Sequence, residues 1–149
     1  MTYLASLFVS SFALLGLALP ASAQEKPAQQ NFFAQCTSQG QKCNRSVKLR
    51  FPVDSGRWNL TLTAPIQHCS DVQYIISTSG SGIGSIGKRS TYLVEIWRSA
   101  WLSGGASDSD TLTGGIGPIL YISAVGREGG CNQGTLGSWG VGVAIGRNE

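Results

Sequence analysis

Apolar residues alternate with polar residues or glycine along a series of short segments of this chain. Successive side chains of a β-strand point to opposite faces of its sheet, so a period of two is typical of strands with one buried face. After residue 23, no segment sustains the spacing of apolar residues that an amphipathic helix requires. The alternation predicts strands over 47–51, 58–63, 72–77, 92–98, 111–113, 119–125 and 139–145.

The last predicted strand has one apolar face and one face with almost no side chains. The apolar face carries Trp139, Val141, Val143 and Ile145, and the bare face carries Gly140, Gly142, Ala144 and Gly146. Another segment could approach the backbone of the bare face closely. Several short strands separated by turn signals indicate a sandwich or a barrel. We therefore predict an all-β fold, a single disulfide-braced β-sandwich of jelly-roll type.

The N-terminus resembles a cleavable export signal. Residues 4–19 are apolar or small, and this run is shorter than the roughly 20 apolar residues of a membrane-spanning helix. The sequence Ala-Ser-Ala at 21–23 is a small-residue cleavage site. We predict a signal peptide helix over 1–23, a flexible lead-in over 24–35 and the sandwich domain over 36–149. The mature protein is then expected to be secreted or periplasmic, with no membrane anchor.

Four cysteines follow the predicted signal. An even number in an exported protein indicates two disulfides. Three pairings are possible, and we favour Cys36–Cys43 as a local link and Cys69–Cys131 as a long one. A metal site is the alternative. It is disfavoured because the chain has no C-x-x-C pair, and because its single histidine, His68, directly precedes Cys69. Adjacent side chains of a strand point to opposite faces, which is poor geometry for shared ligation.

The chain is mildly basic. The formal net charge is +3, which by itself implies no nucleic-acid partner. Four basic residues do lie close together in the sequence. We interpret them as a solvated strand face, with contact to an acidic glycan as the alternative; they are Lys42, Arg45, Lys48 and Arg50.

Motifs that would identify an enzyme are weak. Residues 82–87 match the nucleotide-binding pattern G-x-G-x-x-G, but such glycines must open a helix, and residues 91–97 have strand character. We interpret the segment as a loop. The chain has no G-x-S-x-G motif. A hydrolase would have to use His68 as a base, or Glu95, the one acid within a strongly apolar strand and hence a candidate for a shifted pKa.

A group of acidic residues is the first candidate site. Asp108 and Asp110 lie in a Gly/Ser-rich stretch, and Asp71 is a candidate third ligand. Calcium prefers such oxygen ligands, so these residues predict a possible Ca²⁺ site and no other cofactor. The alternative is an Asp/Ser-rich turn whose carboxylates cap backbone groups.

A group of aromatic residues is the second candidate site. Trp97 shares a predicted strand face with Glu95, opposite the face that carries Tyr92, and Trp101 follows the strand. Exposed aromatic side chains stack on sugar rings or anchor peptides. We predict a ligand-binding platform of Trp97, Trp101, Tyr92 and Glu95; the alternative is that both tryptophans cover the edge of the core.

Several strand motifs resemble those of the bacterial pre-peptidase C-terminal domain. They are Phe-Pro-Val-Asp-Ser-Gly at 51–56, the alternating strand 58–63, the acidic-then-apolar strand 71–76, and the segments 110–113 and 117–125. The resemblance implies a jelly-roll fold and a non-catalytic role. It also implies, as in some members of that family, binding of calcium and of matrix or polysaccharide.

These features predict a secreted, non-catalytic binding module for a polysaccharide or for the surface of an exported protein, with calcium bracing one loop. One alternative is a structural or inhibitory partner of another exported protein. It would dock through the bare glycine face or through an edge strand. A small secreted hydrolase is the second alternative.

Overall fold

The computed structural model describes residues 28–83 and 89–148, and within these ranges the chain forms strands and no helix. The predicted signal helix over 1–23 lies outside the described residues. No described helix is long and apolar enough to cross a membrane. The eight strands are β1 (Ala28–Gln35), β2 (Val47–Arg50), β3 (Arg57–Thr63), β4 (Val72–Ile83), β5 (Arg89–Arg98), β6 (Ser107–Thr113), β7 (Ile119–Gly126) and β8 (Ser138–Asn148).

The strands form two four-stranded antiparallel sheets. Sheet A has the order β1-β8-β3-β6, and sheet B has the order β2-β7-β4-β5. Every connection between consecutive strands runs from one sheet to the other, except the β4–β5 hairpin. Eight strands wound into two sheets in this way are a jelly roll. The predicted β-sandwich of jelly-roll type is confirmed.

The core lies between the sheets and contains the inward-facing residues that the alternation predicts. In β7, for example, Leu120, Ile122 and Ala124 are buried while Ile119 is exposed. Trp139, the largest core residue, is 1% exposed. The other fully buried side chains of the strands are Leu49, Leu60, Leu62, Val72, Tyr74, Ile76, Val141 and Val143.

Both predicted disulfides are present. Cys36, directly after β1, is joined to Cys43, and their Cα atoms are 5.1 Å apart. Cys69 in the β3–β4 connection is joined to Cys131 in the β7–β8 connection, with a Cα separation of 5.6 Å. Disulfides form and persist in oxidising compartments, so the pairing agrees with an extracellular or periplasmic setting.

The first strand differs from the sequence prediction, which places residues 24–35 in a flexible lead-in. Residues Ala28–Gln35 pair with β8 along their whole length, from Ala28 opposite Ile145 to Gln35 opposite Ser138. Gln29, Gln30 and Asn31 are all exposed, so the segment shows no alternation there. Its order comes instead from the backbone hydrogen bonds that β8 supplies.

The β4–β5 hairpin contains an irregularity that reorients one predicted site residue. Ile76 pairs with Trp97, whereas Ser77 pairs with Glu95, so Ile96 has no partner of its own. Such a bulge reverses the side-chain alternation beyond it. Trp97 therefore shares the inward face of Ile76, and the predicted common face of Trp97 and Glu95 is wrong.

Candidate functional site

The predicted aromatic residues do not form one platform. Trp97 is half-buried and packs against the core. Tyr92 is 53% exposed, and its ring lies over Gly80 of the neighbouring strand, where an added Cβ would be 2.8 Å from the ring. Trp101 is 40% exposed, and the guanidinium of Arg127 lies 5.6 Å from its ring centroid. Five strand positions separate Tyr92 from Trp97, a span of roughly 16 Å.

Glu95 does not have the environment of a catalytic acid or base. Its exposed carboxylate accepts two hydrogen bonds from the Arg98 guanidinium, at 2.9 and 2.7 Å. This pairing lowers the pKa of the Glu95 carboxyl below its usual value. The apolar sequence around Glu95 predicts a shifted pKa, and the shift is downward because the exposed carboxylate is paired with the Arg98 cation.

The three candidate calcium ligands engage other groups. The Asp108 carboxylate accepts hydrogen bonds from the backbone N–H of Ala100 at 2.7 Å and of Ser109 at 2.9 Å. Asp110 accepts one from Thr111 at 2.8 Å. Asp71 lies 3.5 Å from the Arg127 guanidinium. Within the described residues, no three His, Cys, Asp or Glu side chains are grouped so that they could hold a metal ion.

Asp108 and Asp110 have a structural role at the edge of sheet A. They lie opposite Leu62 and Leu60 of β3, on the face of β6 that is turned toward the core. A charged side chain pointing inward from an edge strand discourages that edge from pairing with another chain. We interpret the two aspartates as protection of the β6 edge.

The bare glycine face predicted for the last strand forms the floor of a groove on the outside of sheet A. The groove has a volume of about 450 Å³. Asn31 of β1 and Thr63 of β3 lie opposite Gly142, one on each side. A Cβ added to Gly142 would be 3.3 Å from Asn31 Oδ1 and 3.6 Å from Gln29 Nε2. The two amide groups therefore lie just above the glycine floor.

The lining of this groove combines neutral hydrogen-bonding side chains with apolar ones. Amide and hydroxyl side chains are supplied by Gln29, Asn31, Thr63 and Gln67, and the remaining lining residues are Phe32, Ala64, Pro65, Ile66, Gly105, Val141 and Gly142. No lining residue within the described part of the chain is charged. We call this surface the sheet A groove.

A second cavity of about 350 Å³ adjoins the sheet A groove, and both are lined by Pro65 and Gln67. Its walls are largely apolar and include the ring of Phe33, the Cys69–Cys131 disulfide and Leu136. Its polar lining residues are Gln67, His68, Ser70, Asn132, Thr135 and Ser138. We call this cavity the His68 pocket.

The His68 pocket forms where β3 ends before its partner β8 does. Thr63, the last residue of β3, lies opposite Gly142, so Gly140 has no β3 residue beside it. Two side chains complete its hydrogen bonds instead. The backbone N–H of Gly140 donates to His68 Nε2 at 3.2 Å, and its carbonyl accepts from the buried Tyr74 hydroxyl at 2.5 Å.

Burial and the Gly140 hydrogen bond favour one protonation state of His68. Its half-burial lowers the pKa of the imidazole below the usual value, which favours the neutral ring. Because Nε2 accepts a hydrogen bond, the single proton of that neutral ring is on Nδ1. No residue in the described ranges accepts a hydrogen bond from Nδ1. His68 therefore has a structural role through one nitrogen and a free donor at the other.

The aromatic core beneath Gly140 supports the pocket. The Tyr74 and Trp139 rings lie with centroids 6.0 Å apart, a separation favourable for tilted aromatic pairs. Burial raises the pKa of the Tyr74 hydroxyl. Trp139 Nε1 has no hydrogen-bond partner among the described residues.

Sequence reasoning identified the glycine floor and missed its flanks. Phe33, Asn31 and Gln29 belong to the segment predicted as a lead-in, so no strand pattern drew attention to them. Thr63 belongs to a predicted strand whose polar residues alternate with leucines. The threonines of that alternating pattern, placed beside the glycines of β8, would have indicated one side of the groove.

Comparison with known protein families, with curated proteins and with solved structures finds no match to this chain. The resemblance of its strand motifs to the pre-peptidase C-terminal domain therefore stays a prediction.

Proposed function

We propose that this protein is a non-catalytic carbohydrate-binding module that holds a neutral polysaccharide chain in the sheet A groove. The observation that carries the proposal is the placement of Asn31 and Gln29 amides above Gly142, with Thr63 on the opposite side. Sugar hydroxyls both donate and accept hydrogen bonds. Amides and hydroxyls can match them without the desolvation cost of a buried charge.

Polar side chains on the outward face of sheet A extend this surface beyond the groove. Two pairs of outward side chains on β3 and β6 are held by hydrogen bonds. Thr111 Oγ1 donates to Asn59 Oδ1 at 2.8 Å, and the hydroxyls of Thr63 and Ser107 lie 2.8 Å apart. Side chains held in place before binding lose less conformational entropy when a ligand arrives.

An exposed aromatic ring supplies a surface for a sugar ring to stack on. Phe33 is 66% exposed, and its Cδ2 atom would be 3.9 Å from a Cβ added to Gly140. The ring therefore leans over the floor between the groove and the His68 pocket. Sugars present apolar C–H faces as well as hydroxyls, and an exposed aromatic side chain packs against such a face.

The composition of the lining favours binding over catalysis. Glycoside hydrolysis uses two carboxyl groups about 5–10 Å apart, and neither the sheet A groove nor the His68 pocket has a carboxylate among its lining residues. The predicted export signal and the two disulfides support a secreted or periplasmic module that meets polysaccharide outside the cytoplasm.

A depletion assay on insoluble cellulose, chitin, xylan and mannan tests the proposal. The variant Gly142→Val places a branched side chain among Asn31, Gln29 and Thr63. Because β-branched residues suit strands, the fold should persist while binding falls at least tenfold. Gly40→Ala is the matched control, since no atom lies within 4 Å of its added Cβ. Unchanged binding in a folded Gly142→Val variant would refute the proposed site.

One observation favours a second candidate function, the docking of another exported protein. Residues 79–83 of β4 pair only with β5, beyond the last β7 contact at Thr78. The resulting two-stranded ribbon exposes Tyr92, Leu93 and Val94, by 53%, 53% and 41%. Exposed apolar residues on an edge strand are typical of protein contacts. Co-purification of a partner that is lost on Leu93→Ser, with polysaccharide binding absent, would support this function.

A further inference from the structure

The His68 pocket lies at the next position along the sheet A groove. Gly142 and Gly140 are successive outward residues of β8, roughly 7 Å apart, and their β1 partners are Asn31 and Phe33. Pro65 and Gln67 line both cavities. A chain lying along the β8 floor above Gly142 therefore continues directly into the pocket.

Both cavities combine neutral polar side chains with apolar walls. Above Gly142 the polar groups are the amides of Asn31 and Gln29. In the pocket, Phe33, Pro65, Leu136 and the Cys69–Cys131 disulfide form apolar walls. A sugar that presents only hydroxyls to such walls loses hydrogen bonds to water without replacing them. A substituent with an apolar end fits this part of the lining better.

His68 is one of the hydrogen-bond donors among the residues that line the pocket. Its Nε2 is occupied by Gly140, and its Nδ1–H is without a partner in the ranges the structure describes. Asn132 also lines the pocket, and its amide makes hydrogen bonds to other residues of the protein. Asn132 Nδ2 donates to Gln41 Oε1 at 2.8 Å and to the Arg127 carbonyl at 3.0 Å, and its Oδ1 accepts from Gly134 at 3.1 Å.

We infer that the His68 pocket is a subsite for the acetamido group of an N-acetylated sugar within the polysaccharide that the sheet A groove binds. The acyl oxygen accepts a hydrogen bond from His68 Nδ1–H, and the methyl group packs against the apolar walls. An acetamido group carries an acceptor oxygen, an N–H donor and a methyl, and the pocket has the His68 donor, hydroxyl side chains that can accept a hydrogen bond, and apolar walls. This inference rests on the proposed function of the groove.

The neutrality of the pocket excludes charged alternatives. Among residues 28–83 and 89–148, none that lines the pocket is a lysine, arginine, aspartate or glutamate. A carboxylated sugar would be buried without a cation, and a deacetylated amino sugar without an anion, both at high desolvation cost. An acetamido group carries no charge and avoids both costs.

The test compares chitotetraose, which carries acetamido groups, with cellotetraose, which has the same linkage and lacks them. Calorimetric titration of the oxidised protein should give about tenfold tighter binding of chitotetraose, as expected for one hydrogen bond and a buried methyl. His68→Gln is the informative variant. The Oε1 atom of the introduced glutamine can still accept a hydrogen bond from the Gly140 N–H, but the glutamine has no donor at the position of His68 Nδ1. The preference for chitotetraose over cellotetraose should fall to threefold or less.

The outcomes separate this inference from the proposed function. Equal affinity of the wild-type protein for the two oligosaccharides would overturn the acetamido subsite and leave the groove intact. Binding of xylan or mannan by a protein that does not bind chitotetraose would have the same consequence. A preference that survives in folded His68→Gln would also overturn the subsite. Absence of binding to every polysaccharide and oligosaccharide named would overturn both.

Discussion

Replacing Tyr74 by phenylalanine removes a single hydroxyl from the centre of the sandwich. The ring is fully buried, and Phe retains its contact with Trp139. The lost hydroxyl is the donor to the Gly140 carbonyl, which has no strand partner on that side. A buried carbonyl left without a hydrogen bond costs about 1–3 kcal/mol. We therefore expect the free energy of unfolding to fall by about 2 kcal/mol.

Thermal and urea unfolding of the oxidised protein measure this loss. For a chain of this size, 2 kcal/mol corresponds to a decrease in Tm of roughly 6–10 °C. Tyr121→Phe is the control. Tyr121 is half-buried, its ring lies 6.0 Å from the Lys48 ammonium, and its hydroxyl has no hydrogen bond to a described residue. That control should stay within about 0.5 kcal/mol of wild type. A Tyr74→Phe variant as stable as the control would refute the role given to this hydroxyl.

Two further predictions concern pH and the disulfides. Burial lowers the pKa of His68 in the folded protein, so below the unfolded-state pKa of about 6.5 the unfolded chain binds more protons than the folded one. The Tm should therefore fall as the pH is lowered from 7.5 to 5, and it should fall less in His68→Gln. An equal dependence of Tm on pH in the two proteins would contradict the burial of a neutral imidazole. The Cys69–Cys131 disulfide joins residues with a sequence separation of 62, and the Cys36–Cys43 disulfide joins residues with a separation of 7. Replacing the cysteines of the first by serines should lower the free energy of unfolding by about 4 kcal/mol, and those of the second by about 2.5 kcal/mol. Urea unfolding that gives the reverse order would contradict the chain-entropy reasoning.

The strands could be predicted because alternation directly reports which face of a strand is buried. Leu60 and Leu62 alternate with threonines, and the structure places the leucines in the core. The face of Trp97 could not be predicted in the same way. The bulge at Ile76 and Ser77 depends on the pairing of two strands, and no pattern within β5 shows it.

Only the glycine floor of the groove could be predicted from the sequence, for a similar reason. Gly140 and Gly142 mark a bare face within one strand, so local pattern suffices to find them. Asn31 and Phe33 become site residues only through their register with those glycines. Their own segment is polar and shows no alternation at its start. His68 joins the site because β3 ends early, which is a property of the sheet as a whole.

Mapping of backbone amide chemical shifts during titration with chitotetraose and with cellotetraose tests the central claim most directly. We predict that the largest shifts occur at Gly142, Thr63 and Asn31, which surround the floor of the sheet A groove. Shifts confined to Tyr92 and Leu93 on the ribbon, or to the surroundings of Trp101, would contradict the claim that this groove is where the protein binds its ligand.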